Sequence, residues 1–290
     1  MISRKIQLIG NKSYSVSLPK DWVRQHNLKE KNILFIERTK NDDLIIKPIH
    51  TPKKNSFKFD IDKIENISEF VMFCYIKNIN YFTLISKEFS YEQVSKIRKI
   101  ITFLEGYEIV NETKTSIEIV FLFKEIDIKI KDIHRRIVFI LKVMVDALEK
   151  KDYQTLEESE KNVDKLYHLS KRIIFSCYNN KQLREENDIS GWEDLFFMKD
   201  ISKKLEKIGD NLFEYKANIT SSANQIIKVQ LDVVNKIISK KDLNNLKLNL
   251  KNKYKNSVSE ENVLINKVNE RCLDILENAL ALEYNKKYFY

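Results

Sequence analysis

The chain has 290 residues, of which 43% are hydrophobic and 32% charged, with a formal net charge of +9. That length allows two or three domains of ordinary size, and the composition is globular rather than disordered or fibrous. Only four glycines, three prolines and three isolated cysteines exclude Gly-rich phosphate loops, paired CxxC sites and an all-β fold built on many tight turns.

No apolar run approaches the ~20 residues of a membrane span. The opening Met1-Ile-Ser-Arg-Lys5 leads into no signal-peptide core. The expectation is a cytoplasmic protein with reduced, mostly buried thiols at Cys74, Cys177 and Cys272.

Charge is unevenly spread. Residues 1–54 hold 12 Lys/Arg and 5 Asp/Glu, whereas the remainder holds 39 and 37. All three prolines, Pro19, Pro48 and Pro52, lie in that basic head. Ile6–Ile9 is a short apolar run, Gly10-Asn-Lys-Ser13 a turn, and Tyr14-Ser-Val-Ser-Leu18 alternates as a half-buried strand does. Pro19 ends that ladder and opens a short helix with Asp21 in its first turn. Ile33–Glu37 and Leu44–Lys47 read as two more strands around the polar turn Lys40–Asp43. So few residues rarely bury enough apolar surface to be stable alone. A homodimer with interleaved strands is therefore expected, and its two-fold symmetry suits double-stranded DNA.

The segments Ile9-Gly-Asn-Lys-Ser13, Val16-Ser-Leu-Pro-Lys-Asp-Trp-Val23 and Leu44-Ile-Ile-Lys-Pro48 make residues 4–48 resemble the swapped-hairpin DNA-binding domain of the SpoVT/AbrB family. The family usually has Gly-Asp after the helix, where this chain has Glu30-Lys31-Asn32. The candidates for DNA contact are Arg4, Lys5, Lys12, Lys20 and Arg24. Phosphate neutralisation by such a cluster makes binding salt-dependent.

Beyond the basic linker Lys53–Ser56, a βαβαββ order is expected. It comprises an extended Ser56–Phe59, a helix over 65–78, a strand at Phe82–Ile85, a helix over 92–104, and β segments at 108–112 and 116–123. Ser90-Tyr-Glu-Gln93 has capping-box spacing, and Gly106 is placed as a C-cap. No reactive constellation occurs here, and a spacer or dimerisation platform is the expected role.

Helices are predicted over roughly 127–151, 153–180, 192–222, 224–239, 241–254 and 258–286, with a polar loop at 179–190. Ile137, Ile140, Leu141, Met144, Val145 and Leu148 repeat at bundle spacing and form core. Glu160-Lys-Asn-Val-Asp164 and Glu206-Lys-Ile-Gly-Asp210 each place two carboxylates at i and i+4, where like charges repel by about 0.2–0.5 kcal/mol. Each pair is served either by solvent and nearby lysines or by a cation. Facing across an antiparallel helix pair, they would make an oxygen-rich site for a divalent or trivalent metal.

The runs Asp164-Lys-Leu-Tyr-His-Leu-Ser-Lys-Arg172 and Leu205-Glu-Lys-Ile-Gly-Asp-Asn211 look like the signature helices of PhoU-type phosphate-uptake regulators. That resemblance implies Glu160, Asp164, Glu206 and Asp210 as ligands of iron, zinc or magnesium on a three-helix repeat. Glu270-Arg-Cys-Leu-Asp274 resembles a second repeat, whose partner helix 241–254 lacks a matching pair. Ala217 stands where the family often has glutamate, and His168 lies one turn beyond Asp164.

The order of parts resembles archaeal PhoU-type regulators that carry their own DNA-binding domain. The implied fold class is α+β, mainly α. It has a swapped-hairpin head (1–50), an α/β spacer (55–124) and two three-helix repeats (126–222 and 224–290). The implied function is DNA-binding regulation of phosphate uptake. The alternative is a metal-binding adaptor that contacts a phosphate transporter or its sensor kinase, with the head serving dimerisation only. No nucleophile or base accompanies the carboxylates, so no enzyme is expected.

Overall fold

A computed structural model of the protein describes residues 4–9, 13–25, 28–30, 34–38, 44–48, 57–215, 219–239 and 260–288. Lys12, the turn predicted at 10–13 except for Ser13 (which is in strand), the turn at 40–43, Lys31-Asn32, the linker 53–56, Ala217 and the helix predicted over 241–254 lie outside these residues. The chain divides into two compact units, Met1–Asn55 and Ser56–Tyr290.

In the first unit, β1 (Gln7–Ile9) and β2 (Ser13–Ser15) pair antiparallel with Leu8 opposite Tyr14. Helix α1 (Lys20–Gln25) starts directly after Pro19, as expected, and carries Asp21 in its first turn. Strands β3 (Leu34–Arg38) and β4 (Leu44–Pro48) form a second antiparallel hairpin. Much apolar surface of this unit stays in water: Ile6, Leu8, Ile9, Tyr14, Ile36 and Leu44 are all more than half exposed, while Leu18, Trp22, Val23 and Leu28 are half-buried.

The second unit opens with the expected βαβαββ order. Strand β5 (Phe57–Asp60), helix α2 (Ile67–Ile76), strand β6 (Tyr81–Ile85), helix α3 (Tyr91–Phe103), and strands β7 (Tyr107–Glu112) and β8 (Ser116–Phe121) follow in turn. The sheet order is β5-β6-β8-β7, with β5 and β6 parallel and the other pairs antiparallel. Alternation along β6 and β8 buries Phe82, Leu84, Ile117, Ile119 and Phe121 against Val71, Tyr75 and Ile97 of the helices.

The Ser90–Gln93 capping box forms as its spacing predicts. Gly106 lies at φ +89°, where an added Cβ would meet the Phe121 ring at 2.6 Å. Glycine alone serves that turn into β7.

Five long helices follow: α4 (Ile130–Lys150), α5 (Tyr153–Asn179), α7 (Trp192–Glu214), α8 (Ser221–Ile238) and α9 (Glu260–Tyr288). The polar stretch expected as a loop holds a short helix, α6 (Lys181–Glu186). The Asn180 side chain caps it by accepting from the Leu183 amide, and Leu183 is buried. Just beyond, Asn187 Oδ1 accepts from the Ile130 amide at 2.8 Å and so caps α4 from a distance. The predicted 192–222 helix ends at Glu214, and α8 begins at Ser221 because Thr220 caps it. Contacts fix directions. His134 and Leu141 of α4 meet Ser202 and Gly209 of α7, so these helices run parallel. Lys142–Asp232 and Asp146–Lys228 set α8 antiparallel to α4, while Lys204–Asp274 and Asp200–Asn278 set α9 antiparallel to α7.

Arg172 of α5 joins the bundle to the sheet layer. Its side chain is fully buried, and Nη1 donates to the Tyr75 carbonyl at 2.7 Å. Nη2 lies 2.9 Å from Glu125 Oε1 and also donates to Asn80 Oδ1. The guanidinium carbon sits 3.7 Å from the Phe121 ring centroid and 5.1 Å from that of Tyr75. Removing one partner of a buried ion pair costs about 3–5 kcal/mol, because the other charge stays desolvated. Arg172→Met is therefore expected to lower unfolding free energy by about that amount, measured by urea denaturation. A loss under 1 kcal/mol would show that the contact does not hold the layers together.

Candidate functional site

In the basic head, Lys20 and Arg24 lie four residues apart on α1 and therefore on one helical face, both exposed. Arg4 and Lys5 lead into β1 and are also exposed. They form the described part of the predicted DNA-contact set.

In the bundle, α5 and α7 run antiparallel, with Val163 against Gly209 and Tyr167 against Lys203. A Cβ at Gly209 would stand 3.2 Å from Val163 Cγ1, so glycine permits the close approach of the two backbones there. That approach brings Glu160, Asp164 and Asp210 together, with one carboxylate oxygen from each lying within 4.8 Å of the others.

The clustering shows in their acidities. Burial, then the charges of Glu160, Glu206 and Asp210, push the Asp164 carboxyl up to about 7. Burial and the Asp210 charge likewise raise Glu160, and the two carboxyl groups hydrogen-bond to each other. Lys207 partly balances the group through an ion pair with Asp210.

Glu206, the fourth predicted ligand, stands apart from the three. It is buried, and both its oxygens accept from Lys203 Nζ at 2.8 Å. His168 is no closer to serving as a ligand. Its ring lies edge-on to Phe103 at 5.7 Å and tilted on Tyr167, and burial holds its pKa down to about 4.

In the proposed second repeat, Asp274 meets Lys204 of α7 at 2.7 Å and Arg271 at 3.4 Å, with no carboxylate partner among the described residues. Sequence reasoning passed over Lys203 and Lys207. Their i,i+3 spacing to Glu206 and Asp210 was the available signal.

An all-oxygen set with raised pKa values fits a cation. Three carboxylates crowded in a half-buried notch, two of them with raised pKa, gain from a positive charge placed among them. The donor chemistry favours a hard ion such as magnesium or ferric iron over zinc, which prefers nitrogen and sulfur.

A family model described as antidote-toxin recognition MazE, bacterial antitoxin, matches residues 7–54. These residues are an N-terminal domain of the MazE/AbrB antitoxin type. No curated protein and no solved structure matches the chain.

The Asp164 carboxyl keeps its proton to higher pH in the fold than in the unfolded chain. Its contribution to stability is therefore complete below about pH 4 and is lost as pH rises to about 7. His134 and His168, both held down to about 4, contribute the opposite slope. Comparison with Asp164→Asn isolates the carboxyl. Without metal, the variant should melt on the order of 2–4 °C above wild type at pH 8, after allowance for solvent screening, and equal to it at pH 4. Parallel pH profiles of melting temperature would remove the clustered-proton account.

Proposed function

We propose that the protein is a cytoplasmic DNA-binding transcriptional regulator of phosphate uptake and phosphate homeostasis. In this reading it is dimeric through its head and carries a metal-binding sensor of PhoU type in its helical body. The observation that carries the DNA-binding part is the head itself. A MazE/AbrB-type domain covers residues 7–54, holds most of the net positive charge and leaves Leu8, Tyr14, Ile36 and Leu44 in water. A second copy, interleaving its hairpins, would cover Leu8, Tyr14, Ile36 and Leu44, and would pair the basic faces across a two-fold axis.

The sensor part rests on the likeness to PhoU signature helices and on the meeting of Glu160, Asp164 and Asp210 between α5 and α7. A hard cation held there would neutralise the repulsion between the helices and so favour one spacing of the bundle. Through the dimer, that bias would reach the two DNA-binding heads as a coupling free energy. No described helix is long and apolar enough to cross a membrane, so any contact with a phosphate transporter or its kinase would be peripheral.

Two measurements test the parts separately. Replacing Lys20 and Arg24 by alanine removes up to four phosphate contacts per dimer, so the slope of log affinity against log salt should fall by about 3–4. An unchanged slope, or full DNA binding by a chain lacking residues 1–55, would favour the adaptor with a dimerisation-only head. Mapping bound DNA in phosphate-rich and phosphate-starved cells should place the protein at phosphate-uptake genes. Sites elsewhere would overturn the phosphate assignment while leaving DNA binding intact.

Metal binding is read by calorimetry with magnesium, manganese or ferric citrate. Asp164→Asn combined with Asp210→Asn should abolish the binding that wild type shows, and retained binding would displace the site.

A further inference from the structure

Between α4, α7, α8, α9 and the turn after α6 lies a cavity of about 460 Å³. Its walls are apolar: Met198, Ile201, Ile237, Ile275, Ala279 and Leu282. That size and lining are those of a small-molecule site between bundle helices.

The polar groups deep in the cavity are already engaged. His134 Nε2 lies 2.7 Å from Ser202 Oγ, whose hydroxyl donates to the Met198 carbonyl, so the imidazole nitrogen is the donor of that pair. Asn187 accepts from the Ile130 amide and donates to the Leu183 carbonyl at 3.0 Å. A polar ligand body would lose its hydrogen bonds to water and gain few in return, which costs kilocalories per group. An alkyl chain loses nothing.

The rim is charged. Lys131, Lys286 and Lys287 stand there with Asp188 and Glu283, an excess of one positive charge. Lys286 Nζ donates to the Asp188 carbonyl across the opening, and Lys287 stacks on Tyr288 at 5.3 Å. Lysine stems line apolar surface while their ammonium groups remain at the water boundary. An apolar interior under a rim with one surplus positive charge complements a single-chain monoanion.

We propose that this cavity binds a long-chain carboxylate, with its alkyl tail between Ile201, Ile237 and Ile275 and its carboxylate at Lys131 and Lys287. The site is separate from the carboxylate cluster and from DNA contact, and its occupancy would bias how α8 and α9 sit on α4 and α7.

The test uses the full chain and cis-parinaric acid, a fatty acid whose fluorescence rises on leaving water. Palmitate and hexadecanol serve as competitors of equal chain length. The expected result is saturable binding of one probe per chain, displaced by palmitate at least tenfold more effectively than by hexadecanol. Ala279→Phe, which fills the cavity, should weaken binding at least tenfold. Lys131→Glu with Lys287→Glu should do the same for palmitate but not for hexadecanol. Absence of saturable binding, or unchanged palmitate affinity in the lysine variant, overturns the proposal. Equal displacement by hexadecanol also overturns it, by removing the carboxylate from recognition. Should Ala279→Phe fail to fold, the surface lysine variant still decides.

Discussion

Arg172 gives its protons to the Tyr75 carbonyl and the Asn80 amide oxygen, forms an ion pair with the Glu125 carboxylate, and stands over the ring of Phe121 with no exposure to water. A guanidinium in such a place costs several kilocalories in lost hydration, so the surrounding acceptors and ring faces must be in position together. Those acceptors come from the sheet layer, whereas the arginine comes from α5. The constraint fixes how the bundle meets the α/β layer: the rotation of α5 that sends Arg172 toward Phe121 is also the one that sets its other faces. Nε finds no partner, a residual cost of the arrangement.

The face of α5 that carries Glu160 and Asp164 meets α7 at the one glycine in that helix. Gly209 has backbone freedom that it does not use for an unusual φ. Its value is the missing Cβ, which would stand 3.2 Å from Val163. The resulting approach turns three ordinary carboxylates into a strained group, as the raised pKa values of Asp164 and Glu160 report. Lysines already answer part of the charge, Lys207 at Asp210 and Lys203 at Glu206. Among the described residues, the Glu160–Asp164 pair, whose carboxyl groups are both pushed up in pKa, has no such ion pair.

The head follows a different logic. A unit of this size, with Ile6, Leu8, Ile9, Tyr14, Ile36 and Leu44 more than half exposed, gains little of the hydrophobic term that stabilises larger domains. Its hairpins and its helix after Pro19 obey local rules. Covering that exposed apolar surface with another chain would add to their stability. The same small size concentrates positive charge, which suits a polyanion and opposes compaction of an isolated copy.

Local chemistry made much of this legible in sequence. The capping box at Ser90, the turn at Gly106, the start of α1 at Pro19, the βαβαββ order and the long helices are each decided within a few residues by backbone sterics, orphan amides or apolar period. Glu160, Asp164 and Asp210 were likewise visible as i,i+4 pairs. Tertiary packing decided the rest. That Glu206 lies outside the group of three within 4.8 Å and is held by Lys203 depends on tertiary placement that spacing does not encode. Helix α6 exists because Asn180 caps it and Leu183 finds a buried place, in a stretch whose polarity reads as loop. The burial of Arg172, the His134–Ser202 pair and the cavity beside it join residues far apart in the chain, His134 to Ser202 across 68 positions and Arg172 to Tyr75 across 97. Sequence patterns determine which face of an element is apolar, but only the assembled fold determines which faces meet.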